Sequence, residues 1–214
     1  MLTGERRWRP GDALVGLVLC IAFVAAFKPV LSGERAFFHY DLFTEHVPVW
    51  QAVQAALLDG ELPFWLEGLY AGHPFLYHQE APVFYPLTIP LLLTGASAWR
   101  LADLFSLFHF LIAGFLAARV VKEETGHAGA AALAGVAWML SARTVHCALW
   151  PNAVAVAALV PGLLLGLLRI GRGERRTGFV LSASFGGLLG LTARPQAVVG
   201  FLPAVVACAV LVLV

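Results

Sequence analysis

The chain has 214 residues, of which 60% are hydrophobic and only 13% charged, with a formal net charge of +1. Soluble domains sit nearer half apolar and a quarter charged, so this composition excludes an ordinary soluble enzyme and describes an integral membrane protein. The small net charge supplies neither a basic surface for nucleic acid nor an acidic tail.

The N-terminal MLTGERRWRPGD leads into an apolar run without a small-residue cleavage site followed by a soluble domain, so an uncleaved first span is expected over 13–31. Lys28, near its far end, can snorkel to the interface. Residues 32–86 then form a long loop rich in aromatics, acids, histidines and prolines, with no continuous span. Inside it, Pro48 is placed to open a helix continuing to Gly60. Val49, Trp50, Val53, Ala56 and Leu57 recur there at helical spacing, which predicts an amphipathic helix lying on the membrane surface. The apolar piece 87–93, broken by Pro90, is too short to cross and is expected to be re-entrant or interfacial. Further spans are expected over 99–121, 128–141, 153–168 and 178–191, with a last one from 197 onward.

The expected fold is therefore all-α, a single multispanning domain over 1–214 with about six transmembrane helices. Val214 stops inside an apolar run, the ending expected of a fragment with more spans to follow. Arg6, Arg7, Arg9, Arg119, Lys122, Arg169, Arg172, Arg175 and Arg176 fall on the N-terminal side in this arrangement. Lys28, Arg35, Arg100, Arg143 and Arg194 fall on the other. The positive-inside rule then predicts a cytoplasmic N-terminus and an external first loop. Cys20, Cys147 and Cys208 share no ligand-like spacing, so they are read as small apolar filler rather than as a disulfide framework or metal site.

Three groups of residues could carry chemistry. In FFHYDLFTEHVPVW, Asp41 and Glu45 are four apart and share a face if the segment is helical. The plain reading is that they solvate a surface helix; Asp41 also sits directly after an aromatic run at the mouth of a span. In GHPFLYHQEAPVFYP, His78 and Glu80 alternate and would face the same way in an extended segment. There Glu80 is a candidate second acid or metal ligand, with His73 and His78 nearby. No recognisable ligand spacing supports a divalent metal, and the default is hydrogen bonding to carbonyls freed by the prolines. Third, Arg143 with His146 and Arg194 with Gln196 follow spans and emerge on the loop side, either as interfacial snorkels or as ligands for an anion. His109, inside a span, is read as a satisfied core residue. No nucleotide-binding glycine loop, dinucleotide fingerprint or HExxH is present.

Asp41, Pro48 and Trp50, followed by DGELPFW (59–65), GLYAGHPF (68–75) and APVFYPL (81–87), resemble the first external loop of the YfhO-like bacterial membrane proteins. That family resembles the GT-C glycosyltransferases, multispanning enzymes that take sugars from polyprenyl-phosphate donors outside the cytoplasmic membrane. The resemblance implies an N-terminal portion of a larger GT-C-like fold in the bacterial inner membrane, acting on a cell-envelope glycan or lipid acceptor. It implies that Asp41 is the first-loop acid, with Glu80 as a second. Arg143 and Arg194 would then face the donor phosphate, supported by Glu45, His73, His78 and His146. The sequence requires no cofactor. Two other readings compete: a non-catalytic protein for lipid-linked glycan binding or assembly, and a small-solute transporter. The polar groups gather in a loop rather than at the midplane, which disfavours the transporter.

Overall fold

The computed structural model describes residues 10–66, 71–74 and 82–192. The first helix, α1 (Pro10–Leu31), is apolar on every side. Val15, Leu19, Phe23 and Phe27, each four residues after the last, make one buried stripe, while Leu14, Leu17, Ile21 and Val24 make an exposed one. A helix with apolar residues both against its neighbours and facing outward is what lipid requires, because lipid offers no reason to keep a polar face.

After α1 the chain enters the loop, which holds a π-helical turn (Leu42–His46) running directly into α2 (Val47–Leu58), a two-residue antiparallel pairing of β1 (Trp65–Leu66) with β2 (His73–Pro74), and the short α3 (Thr88–Leu92). Five residues of helix rise roughly 8 Å, far short of a bilayer core. The loop therefore returns to the end of the bundle it left. The next helix, α4 (Ala98–Thr125), is capped by the Ser97 hydroxyl at its start and ended by Gly126 in the left-handed region. It is followed by α5 (Ala128–Met139), α6 (Ala142–Cys147), α7 (Pro151–Gly171) and α8 (Arg175–Gly190).

Four stretches are long and apolar enough to cross a membrane: Gly11–Leu31, Ala98–Thr125, Ala128–Cys147 and Pro151–Gly171. The third is longer than the sequence expectation because α6 prolongs it past a break at Ser141, whose hydroxyl accepts from the Thr144 amide at 3.2 Å and restarts the helix. The expected fifth span corresponds to α8, whose 16 residues leave it outside that set. The expected sixth lies outside the described residues. The surface helix expected over 48–60 forms as α2, but Val49, Trp50 and Val53 are buried in the main core beside α3 and α4 rather than presented to lipid. Gln54 secures it, donating at 2.9 Å to the carbonyls of both Leu92 and Ala96.

Polar contacts define both ends of the bundle. At the charged end, Lys122 near the end of α4 meets Asp12 at the start of α1, and Glu123 meets Arg169 at the end of α7. At the loop end, Arg100 of α4 donates to the carbonyls of Val30 at 2.5 Å and Leu31 at 2.6 Å. Those are carbonyls of the last turn of α1, beyond its i+4 ladder, though Val30 also accepts the Gly33 amide at 3.2 Å; the guanidinium complements the negative end of the helix dipole.

Glycines set the closest approaches. A Cβ on Gly135 of α5 would lie 2.7 Å from the Gly114 carbonyl oxygen of α4 and 2.8 Å from Leu19 of α1. This is the small-residue packing by which helices associate in lipid. Pro161 inside α7 has no N–H to offer the Ala157 carbonyl, and the Trp138 indole of α5 supplies the missing donor at 3.1 Å. Trp138→Phe is expected to destabilise the bundle by about 1–2 kcal/mol through that unsatisfied carbonyl. Adding Pro161→Ala should restore most of the loss, as read by unfolding in mixed micelles.

Candidate functional site

The site lies at the loop end, built by two anchors on α4 one turn apart. Arg100 holds the end of α1. Asp103, buried, accepts the Phe37 amide at 3.0 Å and so fixes where the loop begins. Two residues on, His39 Nδ1 accepts the Asp41 amide at 3.2 Å. In the neutral ring that places the proton on Nε2. Asp41 then opens the π-helical turn, a distortion found often at functional sites.

The carboxylate of Asp41 is held from the far side of the sequence. Trp150, the residue before α7, donates its indole N–H to Asp41 Oδ2 at 2.8 Å. The same indole packs against two imidazoles, with ring centroids 4.7 Å from His39 and 5.1 Å from His146, the latter edge-on. Asp41 keeps 40% of its side chain exposed. No described residue donates to its Oδ1. An oriented carboxylate with one oxygen committed and the other open can take a proton from a hydroxyl, provided that hydroxyl comes within hydrogen-bond reach.

Beneath this group the core is unusually polar for a membrane bundle. His46, Ser106, His109, Thr144 and Asn152 are all buried. His109 is satisfied as expected: Nδ1–H donates to the Phe105 carbonyl at 2.7 Å, and Nε2 accepts from the Tyr85 hydroxyl at 2.9 Å. Burial pushes the Tyr85 phenol up to about 12, so it stays protonated and keeps donating. Around the rim, Phe38 and Phe43 are exposed and stack on Trp99, with centroids 6.3 and 6.0 Å away. Such rings suit the membrane–water boundary.

The residues singled out from sequence fare differently. Asp41 and His146 meet through Trp150. Arg143 is exposed, three residues before His146 on α6, and makes no ion pair with a described residue. Glu45 is exposed on the π-helical turn. His73 lies in β2, where its backbone pairs with Leu66. Its side chain lies outside the described residues, as do His78, Glu80 and Arg194. Among the described residues no three His, Cys, Asp or Glu side chains gather as a metal would require. Sequence reasoning missed Trp150, Arg100 and Asp103. The last two carried a signal, since two ionisable groups three apart at the start of an apolar helix need partners.

Four long apolar helices in alternating directions, with a polar cluster confined to one end, define a multi-pass helical membrane protein. Set against family models, curated proteins and solved structures, the chain matches none.

Proposed function

We propose that the chain is the membrane part of a YfhO/GT-C-like glycosyltransferase, with its N-terminus in the cytoplasm and the loop end outside a bacterial inner membrane. There it transfers a sugar from a polyprenyl-phosphate donor to a cell-envelope glycan or lipid acceptor. Asp41 acts as the base that takes the acceptor proton. Arg143 and Arg194 offer guanidinium groups to the leaving phosphate, and Glu80 is the second acid. One observation carries the reading: the Asp41 carboxylate, at the mouth of the bundle, is oriented by an indole N–H from 109 residues away while one oxygen stays open. The excess of Lys and Arg at the opposite end supports the orientation.

A second reading draws on the rings beside Asp41. His39, Trp150 and His146 could grip a glycan without chemistry, as in a binding or assembly protein. The two separate on Asp41→Asn, assayed in membranes that supply polyprenyl-phosphate sugars, with protein abundance and topology matched. As a general base, Asp41 is expected to carry about 10²–10⁴-fold of the transfer rate. Transfer equal to wild type sinks the catalytic role. Glycan retention without transfer by either protein favours binding alone.

A further inference from the structure

The charged end holds a crevice that the proposed chemistry does not use. It is about 540 Å³, the size of a small-molecule site, and lies between α1 and α4. Its walls are apolar, with Val15, Gly16 and Cys20 on one side and Phe115 and Ala118 on the other; Asp12, Arg119 and Lys122 stand at the bundle-end rim. The glycine creates part of the space, since a Cβ there would meet nothing nearer than Phe115 at 3.7 Å. Arg119 and Lys122 are three apart and share a face of α4.

Neither cation is saturated. The Lys122 ammonium is ion-paired with Asp12 at 3.7 Å, a separation beyond hydrogen-bond length that leaves its N–H groups able to donate. Arg119 spends its Nε–H on Glu123 at 2.8 Å, and its terminal nitrogens have no described partner. Along this end of the bundle six Lys and Arg residues face four carboxylates over the described chain, so the rim is positive overall. An apolar trough capped by unsaturated cations at the depth where headgroups lie matches one chemistry: an acyl chain with an anion at its top.

We propose that this crevice binds an anionic phospholipid, with one acyl chain between α1 and α4 and the headgroup phosphate on Lys122 and Arg119. The site is independent of the Asp41 chemistry and holds whichever way the protein sits in the bilayer.

The test is native mass spectrometry of the full chain with phosphatidylglycerol and phosphatidylcholine of identical acyl chains. Each cation is expected to contribute about five-fold to the preference for phosphatidylglycerol. Arg119→Gln with Lys122→Gln should abolish that preference. Gly16→Leu should fill the trough and reduce retention of both lipids. Equal retention of the two lipids by wild type overturns the proposal, as does a preference that survives in the double variant. Should the double variant fail to fold, Lys122→Gln and Gly16→Leu decide, and unchanged phosphatidylglycerol retention in both overturns it. A dimer that neither lipid displaces assigns the crevice to a second copy of the chain and overturns the lipid assignment.

Discussion

Glu123→Ala is expected to destabilise the bundle by about 3 kcal/mol, the lower end of the cost of removing one partner from a buried pair. Only 2% of the Glu123 side chain is exposed, and it serves three arginines. Arg119 donates to Oε1 at 2.8 Å and Arg169 to Oε2 at 3.0 Å, with a second Arg169 donor on Oε1. Arg172 stands at 3.8 Å. The carboxylate comes from α4 while Arg169 and Arg172 come from the end of α7, so one side chain ties two spans at the charged end. Alanine would leave Arg169, 15% exposed, without that partner. The lower figure applies because Arg119 and Arg172 are 43% and 34% exposed and can turn to water. Unfolding in mixed micelles followed by tryptophan fluorescence measures the loss, and Glu123→Gln should fall between wild type and alanine. A loss below about 1 kcal/mol would mean that the arginines are solvated without it.

If the proposed sugar transfer is the activity, Trp150→Phe is expected to lower it about 10–100-fold, with kcat falling and KM nearly unchanged. Phenylalanine keeps an aromatic ring beside His39 and His146 while removing the indole N–H held by Asp41 Oδ2. A hydrogen bond to a charged group is worth about 1.5–3 kcal/mol, and that range converts to the stated fall if the bond is needed in the transition state. Trp150 is a positioning residue in this account, so its effect must run through Asp41. Combining Trp150→Phe with Asp41→Asn should therefore be no worse than Asp41→Asn alone. Multiplying losses in the double variant would show that Trp150 acts on its own, for example by stacking on substrate.

Much of the fold is legible in the apolar runs. The 13–31 and 99–121 expectations reappear as α1 and α4, each a few residues longer, because hydrocarbon permits only long, largely apolar helices. The 87–93 piece reads correctly as too short to cross. The fate of α2 was not legible. Its apolar face is the same whether it meets lipid or protein, and only the position of α3 and α4 decides which. Asp41 stood out because an acid among large aromatics is rare. Its partner Trp150 did not, because tryptophan near a span end is ordinary at an interface.

Composition along each apolar run is enough to establish a helical membrane protein, since each span must be apolar along its own length. Which groups meet depends on how the spans pack. Asp41 with Trp150, Arg100 with the end of α1 and Glu123 with Arg169 are pairings between segments distant in the chain. No periodicity encodes them, because they depend on the angle and depth at which the spans pack. Those in turn follow from small contacts such as Gly135 against Gly114, where the absence of a side chain sets the distance between helices.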